Sequence, residues 1–110
     1  MTRPRSAPSG LTPLQRAMVA VVEGLAEGEV VSFGDVAARA GRPDASRAAG
    51  AVLANSLDTL PWWRVVYSSG HLPASNPGLQ AQRLAEEGAR LRGFRVVQSP
   101  RGRFAKSDAP

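Results

Sequence analysis

The sequence contains no cysteine and a single lysine, and only 5% of its 110 residues are aromatic. Without cysteine, the chain can form no disulfide, no thiolate metal site and no thiol nucleophile. Its uninterrupted apolar runs are a few residues long, far below the roughly 20 residues that a membrane-spanning helix needs. The first ten residues carry arginine but no apolar signal-peptide core. We therefore expect a cytoplasmic protein that makes no membrane contact.

What the sequence has in excess is positive charge, almost all of it arginine. Fourteen Lys and Arg residues against nine Asp and Glu residues give a net charge of +5. A basic surface favours polyanions such as nucleic acid, because binding releases condensed counterions. The preference for arginine over lysine is also what a biased genomic base composition would produce, but such a bias does not explain the excess of base over acid.

The length suits one domain with its own core. Residues 1–11 lack apolar periodicity and are predicted to be a disordered basic tail; residues 12–105 form the domain, and residues 106–110 a C-terminal tail. Thr12, Pro13 and Gln15 form a helix-start signature with a capping box, which predicts a helix over residues 13–26 closed by Gly28.

Two short helices are predicted next, one starting at the N-cap Ser32 and stopping at Gly41, the other over residues 45–54. Two short helices joined by a glycine-containing turn are typical of a helix-turn-helix. A generic helical corner is the commoner use of this pattern. The pattern alone therefore leaves DNA binding open.

The rest of the chain is predicted to hold short strands and one more helix. Aromatic and β-branched residues indicate a small hairpin over residues 61–72, followed by a loop over residues 73–78. A further helix runs from Leu79 and is closed by Gly88, and residues 94–97 and 103–105 form a last strand pair. The fold class is α+β and mainly helical, a winged-helix-like helix-turn-helix domain with a small β-hairpin.

Two adjacent tryptophans, Trp62 and Trp63, follow a proline at the predicted junction of helix and strand. Taken alone, such a pair fills a core. Six motifs, however, resemble in order and spacing the active-site domain of the O6-alkylguanine-DNA alkyltransferases over residues 12–105. They are Val31-Ser-Phe-Gly-Asp-Val-Ala37, Arg47-Ala-Ala-Gly50, Asn55, Pro61-Trp-Trp-Arg-Val-Val66, Ser68-Ser-Gly70 and Leu84-Ala-Glu-Glu-Gly88.

In that family, a Pro-Cys-His-Arg-Val motif supplies the cysteine that accepts the alkyl group and the histidine that relays its proton. Here Trp62 stands at the position of the cysteine and Trp63 at that of the histidine. A tryptophan at the cysteine position is the mark of the alkyltransferase-like proteins. The resemblance therefore implies a protein that is not an enzyme and transfers nothing, since an indole is not an activated nucleophile.

The resemblance also implies a pocket for an extruded base, formed by Trp62, Trp63, Val65, Ser75 and Asn76. In it the Trp62 ring would stack on the base, and the amides of Ser75 and Asn76 would donate to its O6 edge.

The remaining implied site residues lie on the helices and around the motif. Arg47 matches the arginine finger that replaces the extruded base in the stack, and Arg39 and Arg42 would contact phosphates. Phe33 stands where the family usually has tyrosine, so the ring is kept and the hydroxyl is lost. Three residues are implied as structural supports: Asn55, Arg64 and Glu87. Glu87 matches the relay carboxylate, which without the histidine has nothing to activate.

The implied function is a DNA damage sensor. It would bind O6-alkylguanine in duplex DNA through the minor groove, flip the nucleotide without alkyl transfer, and flag it for nucleotide excision repair. Its implied partners are double-stranded DNA containing O6-alkylguanine and excision-repair proteins. We expect a monomer with no metal and no cofactor. Three alternatives stay open: a helix-turn-helix transcriptional regulator without lesion preference, an enzyme that uses Glu87, and a homologue that has lost binding.

Overall fold

The structure is a computed structural model that describes residues 11–55 and 60–105; most of the predicted N-terminal tail and the whole C-terminal tail lie outside the described residues. Its helices are α1 (Pro13–Glu23), α2 (Phe33–Arg39), α3 (Ser46–Ala54) and α4 (Pro77–Glu86), with a 3-10 turn at Trp62–Arg64. Its strands are β1 (Glu29–Ser32), β2 (Val65–Val66), β3 (Arg90–Arg92), β4 (Arg95–Gln98) and β5 (Arg101–Gly102). The α+β, mainly helical class is confirmed.

Helix α1 begins where its capping residues predict. The Thr12 side chain accepts a hydrogen bond from the Gln15 amide at 3.1 Å, and the Gln15 side chain accepts one from the Thr12 amide at 2.7 Å. The helix ends at Glu23 with Gly24 as its cap, so the predicted end at residue 26 is wrong. Gly28 lies instead in the turn before β1 with φ 82°, a left-handed conformation that favours glycine.

Helices α2 and α3 form the predicted helix-turn-helix corner. A capping box again starts α2, because the Ser32 side chain accepts from the Asp35 amide and the Asp35 side chain accepts from the Ser32 amide, both at 2.9 Å. The turn after α2 passes through Gly41 at φ 95°. Ala45 is the N-cap of α3, and its side chain has no acceptor for the first amides of that helix.

Two hydrophobic cores meet at the pair of strands β1 and β2. Successive residues of a strand point to opposite faces, and here both faces are buried. Val31 and Val65 belong to the core beneath α1, α2 and α3, whereas Val30 and Val66 belong to the core beneath α4 and the C-terminal strands. The strand pair thus holds the helix-turn-helix against the rest of the domain.

The strand pairing differs from the prediction for residues 61–72, which form no hairpin. Trp62–Arg64 is a 3-10 turn, and β2 pairs in parallel with β1. Strand β5 pairs in parallel with the other edge of β1, giving the order β2-β1-β5. The physical reason is burial on both faces, which suits a parallel strand inside the domain better than a two-residue hairpin.

The small hairpin of the fold is formed by β3 and β4, which pair antiparallel across Gly93 and Phe94. Gly93 has φ 58°, as a two-residue hairpin turn with glycine in its first position requires. The predicted pairing of residues 94–97 with 103–105 is therefore wrong. Helix α4 starts at Pro77 rather than Leu79, because proline suits the first turn of a helix.

In the part of the chain that the structure describes, no helix is long and apolar enough to cross a membrane.

Candidate nucleic-acid interface

A cavity of about 380 Å³, here named the Trp62 cavity, opens where α2 and α3 meet the Trp62–Arg64 turn. Its lining is mostly apolar and consists of Phe33, Gly50, Leu53, Ala54, Trp62, Val65, Tyr67, Pro73, Ser75 and Gln80. A volume of this size is at the lower end of the range for small-molecule sites. The cavity is therefore large enough for a single base-sized ring system.

A second cavity of about 350 Å³, here named the Arg47 cavity, adjoins the first along the corner of α2 and α3. It is lined by Phe33, Gly34, Ser46, Arg47, Gly50, Tyr67 and Ser68. The rings of Phe33 and Tyr67 lie 5.4 Å apart between centroids and line both cavities. Arg47 is exposed in the first turn of α3. The Phe33 and Tyr67 rings separate its cation from the Trp62 cavity.

Trp63 lies on the other side of the Trp62–Arg64 turn, outside the Trp62 cavity. Its indole Nε1 donates to Glu87 Oε2 at 2.9 Å. The guanidinium carbons of Arg64 and Arg83 lie 5.2 and 4.7 Å from its ring centroid, within cation–π range. The structure therefore does not place Trp63 among the residues that line the Trp62 cavity, because its ring is held between these charged groups. Its implied part in the base pocket stays a prediction.

Glu87 joins three segments through one carboxylate. Arg64 donates to it from Nε at 2.9 Å and from Nη2 at 2.6 Å, and the Gly28 amide donates at 3.0 Å. Arg64 Nη1 also donates to the Leu25 carbonyl at 2.9 Å. The side chains of Arg64 and Glu87 are only 14% and 12% exposed. The pair thus connects the loop after α1, the Trp62–Arg64 turn and the end of α4.

Burial raises the pKa of Glu87, but the hydrogen bonds from Arg64, Gly28 and Trp63 outweigh it and hold the pKa below its ordinary value. A carboxylate that is ionised and fully engaged by donors is a poor proton acceptor at neutral pH. Glu87 and Arg64 thus contact three segments around the Trp62–Arg64 turn, and their implied supporting role stays a prediction.

The other implied DNA contacts are distributed around the same corner. Arg39 pairs with Glu29 at 3.2 Å, and Arg42 pairs with Asp44 at 3.2 Å. Both arginines are exposed. Their cations are partly neutralised, so their contact with phosphates stays a prediction.

Asn55 and Asn76 lie outside the lining of the Trp62 cavity. Asn55 caps the end of α3, and its side-chain amide donates to the Ala51 carbonyl of the same helix at 3.0 Å. This contact lies within α3, and the implied supporting role of Asn55 stays a prediction. Asn76 is the exposed N-cap of α4 and is not among the residues that line the Trp62 cavity, whereas its neighbour Ser75 is.

Among residues 11–55 and 60–105, no three His, Cys, Asp or Glu side chains are grouped closely enough to hold a metal ion.

Comparison with known proteins shows to which family the chain belongs. The family model described as the DNA-binding domain of 6-O-methylguanine DNA methyltransferase matches residues 13–89. The chain belongs to this family.

Curated relatives and solved structures place this family member with its alkyltransferase-like branch. The DNA base-flipping protein of Escherichia coli (strain K12) is 40% identical over 88 residues, which cover 76% of this chain and 68% of that protein. The DNA base-flipping protein of Vibrio parahaemolyticus serotype O3:K6 (strain AQ3810) is 36% identical over 73 residues, covering 63% and 73%.

Two solved structures from S. pombe have the same fold. Atl1 in complex with damaged DNA containing O6-carboxymethylguanine matches with a TM-score of 0.64 and 25% identity, over 72% of this chain and 79% of that one. A second complex, of S. pombe ATL with DNA, matches with a TM-score of 0.66 and 22% identity, over 84% and 94%. The resemblance to alkyltransferase-like proteins is confirmed.

In this alkyltransferase-like chain, two residues with polar side chains, Tyr67 and Gln80, line the Trp62 cavity but were not assigned to the site from the sequence. Tyr67 is 52% exposed and stands beside Phe33 at the mouth. Strand alternation could have found it, because Tyr67 follows Val65 by two residues and so shares its face. Tyr67 places a phenol hydroxyl at the mouth of the Trp62 cavity, whereas the ring of Phe33 has no hydroxyl.

The second residue is Gln80, which is buried on α4. Its side-chain amide donates to the carbonyls of Trp63 at 3.1 Å and Val65 at 3.0 Å. The helical spacing gives the signal, since Gln80 precedes the buried Leu84 by one turn. Gln80 fixes the backbone that carries Trp62 against α4.

Proposed function

We propose that this chain binds O6-alkylguanine in duplex DNA, holds the extruded nucleotide in the Trp62 cavity and leaves the alkyl group in place. The observation that carries the proposal is the pairing of two adjoining features. One is a base-sized cavity with the Trp62 indole in its wall, and the other is the exposed Arg47 at the start of α3. Helix α3 would enter the minor groove, with Arg47 filling the gap that the extruded base leaves.

The free-energy cost of extruding a nucleotide and the gain from stacking it on Trp62 are of similar size. Extruding a nucleotide costs a few kcal/mol, and stacking on one aromatic side chain returns about 1–3 kcal/mol per base. Trp62 is half-buried and packs on the first core, so its ring is already ordered and loses little entropy on stacking. Contacts made by Arg47 and contacts with phosphates would offset the rest of the free-energy cost of extrusion.

The cavity lining supports a preference for an alkylated base over guanine. Leu53, Val65 and Pro73 present apolar surface, and burying a methylene-sized group is favourable by about 0.8 kcal/mol. An alkylated guanine also pairs less well with cytosine, so its extrusion costs less. Both effects act in the same direction.

The chemistry of the site supports binding without transfer. The sequence contains no cysteine, and the indole of Trp62 cannot displace an alkyl group. Glu87 is engaged by Arg64, Trp63 and the Gly28 amide and has no nucleophile to activate. A protein that leaves the adduct in place requires a second system to remove it. We propose that this system is nucleotide excision repair, as the family resemblance implies.

The deciding experiment is a competition binding assay with two duplexes that differ only in one guanine or O6-methylguanine, at a fixed and stated salt concentration. We expect tighter binding of the methylated duplex. Equal affinity for the two would contradict the proposal. A preference for one base sequence irrespective of methylation would instead support a transcriptional regulator.

Transfer is tested separately by analysing the bases after incubation with methylated duplex. We expect intact O6-methylguanine with the natural protein. The variant Trp62→Cys should also transfer poorly, because Trp63 occupies the place of a relay histidine and no base is left to activate the new thiol. Rapid methyl transfer to Cys in that variant, measured by mass spectrometry, would refute the relay argument.

A further inference from the structure

A second basic surface lies on the β3–β4 hairpin and is not part of the two cavities. Residues 88–105 contain five arginines and no acidic residue. Three of these arginines, Arg90, Arg92 and Arg95, are exposed on the two strands of the hairpin. They are here called the hairpin arginines.

The hairpin presents these charges on one face. Leu91 and Val96 are directly paired and pack into the second core. Because side chains alternate along a strand, Arg90 and Arg92 point away from that core. Arg92 is directly paired with Arg95 on the opposite strand. Like charges in such a pair repel each other and destabilise a hairpin.

In the described part of the chain, no carboxylate offsets this repulsion. The four ion pairs found there are made by Arg39, Arg42, Arg64 and Arg103. The hairpin arginines make none of them. A surface that keeps two cations opposed without an anion is suited to an anionic partner that supplies the missing charge.

The position of the hairpin favours DNA as that partner. Arg95 Nε donates to the Ser69 carbonyl at 3.1 Å, and Arg103 Nε donates to the Ser68 carbonyl at 3.4 Å. Ser68 in turn lines the Arg47 cavity. The loop after β2 therefore joins the hairpin directly to the rim at which Arg47 lies, so a duplex bound there has phosphates within reach on both sides of the loop.

We propose that the hairpin arginines bind phosphates of the same duplex that α3 engages. This anchor reads neither base sequence nor damage, because phosphate contacts carry no sequence information. The inference rests on the proposed DNA-binding function but not on its preference for damage.

The test compares two single charge removals. Arg92→Gln removes a hairpin arginine, and the matched control Arg16→Gln removes an exposed arginine of α1 that lines neither cavity. Affinity is measured for the guanine and O6-methylguanine duplexes over a range of salt concentrations. For Arg92→Gln we expect the slope of log affinity against log salt to flatten by about 0.9, with affinity lower by up to about tenfold near 0.1 M salt.

Both duplexes should lose affinity by the same factor, so that their ratio stays that of the natural protein. The double variant Arg90→Gln/Arg92→Gln should flatten the slope about twice as much. A slope and an affinity indistinguishable from those of Arg16→Gln would overturn the inference and direct the search to an acidic protein as the partner of this surface.

Folding is checked by thermal unfolding without DNA, where Arg92→Gln should be at least as stable as the natural protein because it relieves the repulsion from Arg95. The two proposals fail in different ways. If the natural protein binds both duplexes equally but Arg92→Gln still flattens the slope, the sensor function is refuted and the hairpin anchor stands. If the lesion preference is found and the slope is unchanged, the anchor alone is refuted.

Discussion

The two sides of the Trp62–Arg64 turn carry the same side chain in opposite surroundings. The rings of Trp62 and Trp63 are 6.0 Å apart and nearly perpendicular. Trp62 faces a cavity with a mostly apolar lining. Trp63 faces Glu87, Arg64 and Arg83, with its indole N–H hydrogen-bonded and cations near its ring.

The difference lies in what covers each ring. A buried tryptophan needs a partner for its single donor, and on the Glu87 side that partner belongs to an ion pair that joins three segments. On the cavity side, no side chain of residues 11–55 and 60–105 fills the space against the ring. One side of the turn therefore holds the fold together, and the other is open to a ligand. Changes on the Glu87 side should alter stability, and changes on the cavity side should alter binding.

The largest effect is expected on the Glu87 side. Glu87→Gln leaves Arg64 without its counter-ion and should lower the free energy of unfolding by about 3 kcal/mol, the lower end for a buried pair because this one is slightly exposed. Chemical denaturation measures the loss. Glu86→Gln, on the exposed neighbour in the same helix, is the matched control and should change it by less than about 0.5 kcal/mol. Equal effects of the two variants would remove the distinction between the two sides.

The next effect is expected on the cavity side. Trp62→Ala should weaken binding of O6-methylguanine duplex by about 2 kcal/mol, roughly 30-fold, because it removes the stacking surface. The affinity for undamaged duplex should change much less.

Fluorescence distinguishes the two tryptophans further. Trp63→Phe leaves Trp62 as the only emitting tryptophan, and Trp62→Phe leaves Trp63. Binding of lesion duplex should quench the first variant and not the second; quenching of Trp63 alone would reverse the assignment.

A smaller loss of affinity is expected at the rim of the Arg47 cavity. Arg47→Ala should reduce affinity for lesion duplex by about 1.4 kcal/mol, roughly tenfold, because the variant loses both the finger and one charge. Its thermal stability should be unchanged, since Arg47 is exposed. Arg16→Ala serves as the charge-matched control. Unchanged affinity in Arg47→Ala would exclude this residue from the site.

The smallest effect concerns pH. The pKa of Glu87 is lowered in the folded protein, so its contribution to stability is complete above the unfolded pKa of about 4.3 and is lost as pH falls through the lower folded pKa. Denaturation curves at a series of pH values below about 5 should show this decline. The decline should be shallower in Glu87→Gln, which cannot titrate at this position; an identical decline would assign the pH dependence to other carboxylates.

Local signals in the sequence predicted a large part of this fold. The capping boxes at Thr12 and Ser32 specify where α1 and α2 begin, because the residues that satisfy the first amides are only three positions apart. The strand pairings were not predicted in the same way. Val65 and Val66 pair with β1 across two intervening helices, and no turn motif near them signals a parallel partner.

The residues of the candidate site also differ in whether the sequence or only the tertiary structure assigns them to the cavity. The family resemblance implied Trp62, Val65 and Ser75, which line the Trp62 cavity, and also Trp63 and Asn76, which do not line it. Adjacent residues of a 3-10 turn diverge by about 120°, so neighbours in a motif need not share a pocket. Which of the two tryptophans faces the cavity depends on where Glu87 and Arg83 lie after α4 has packed.

The sequence by itself determined the starts of α1 and α2, the helix-turn-helix corner, the excess of positive charge and the absence of a thiol. Each of these depends on residue identity or on contacts a few positions apart. Only the tertiary structure decided that β2 runs parallel to β1, that Glu87 gathers Arg64, Trp63 and Gly28, and that Arg92 opposes Arg95 beside the Arg47 rim. These are contacts between distant segments, and their energies exist only once the two cores have brought the segments together.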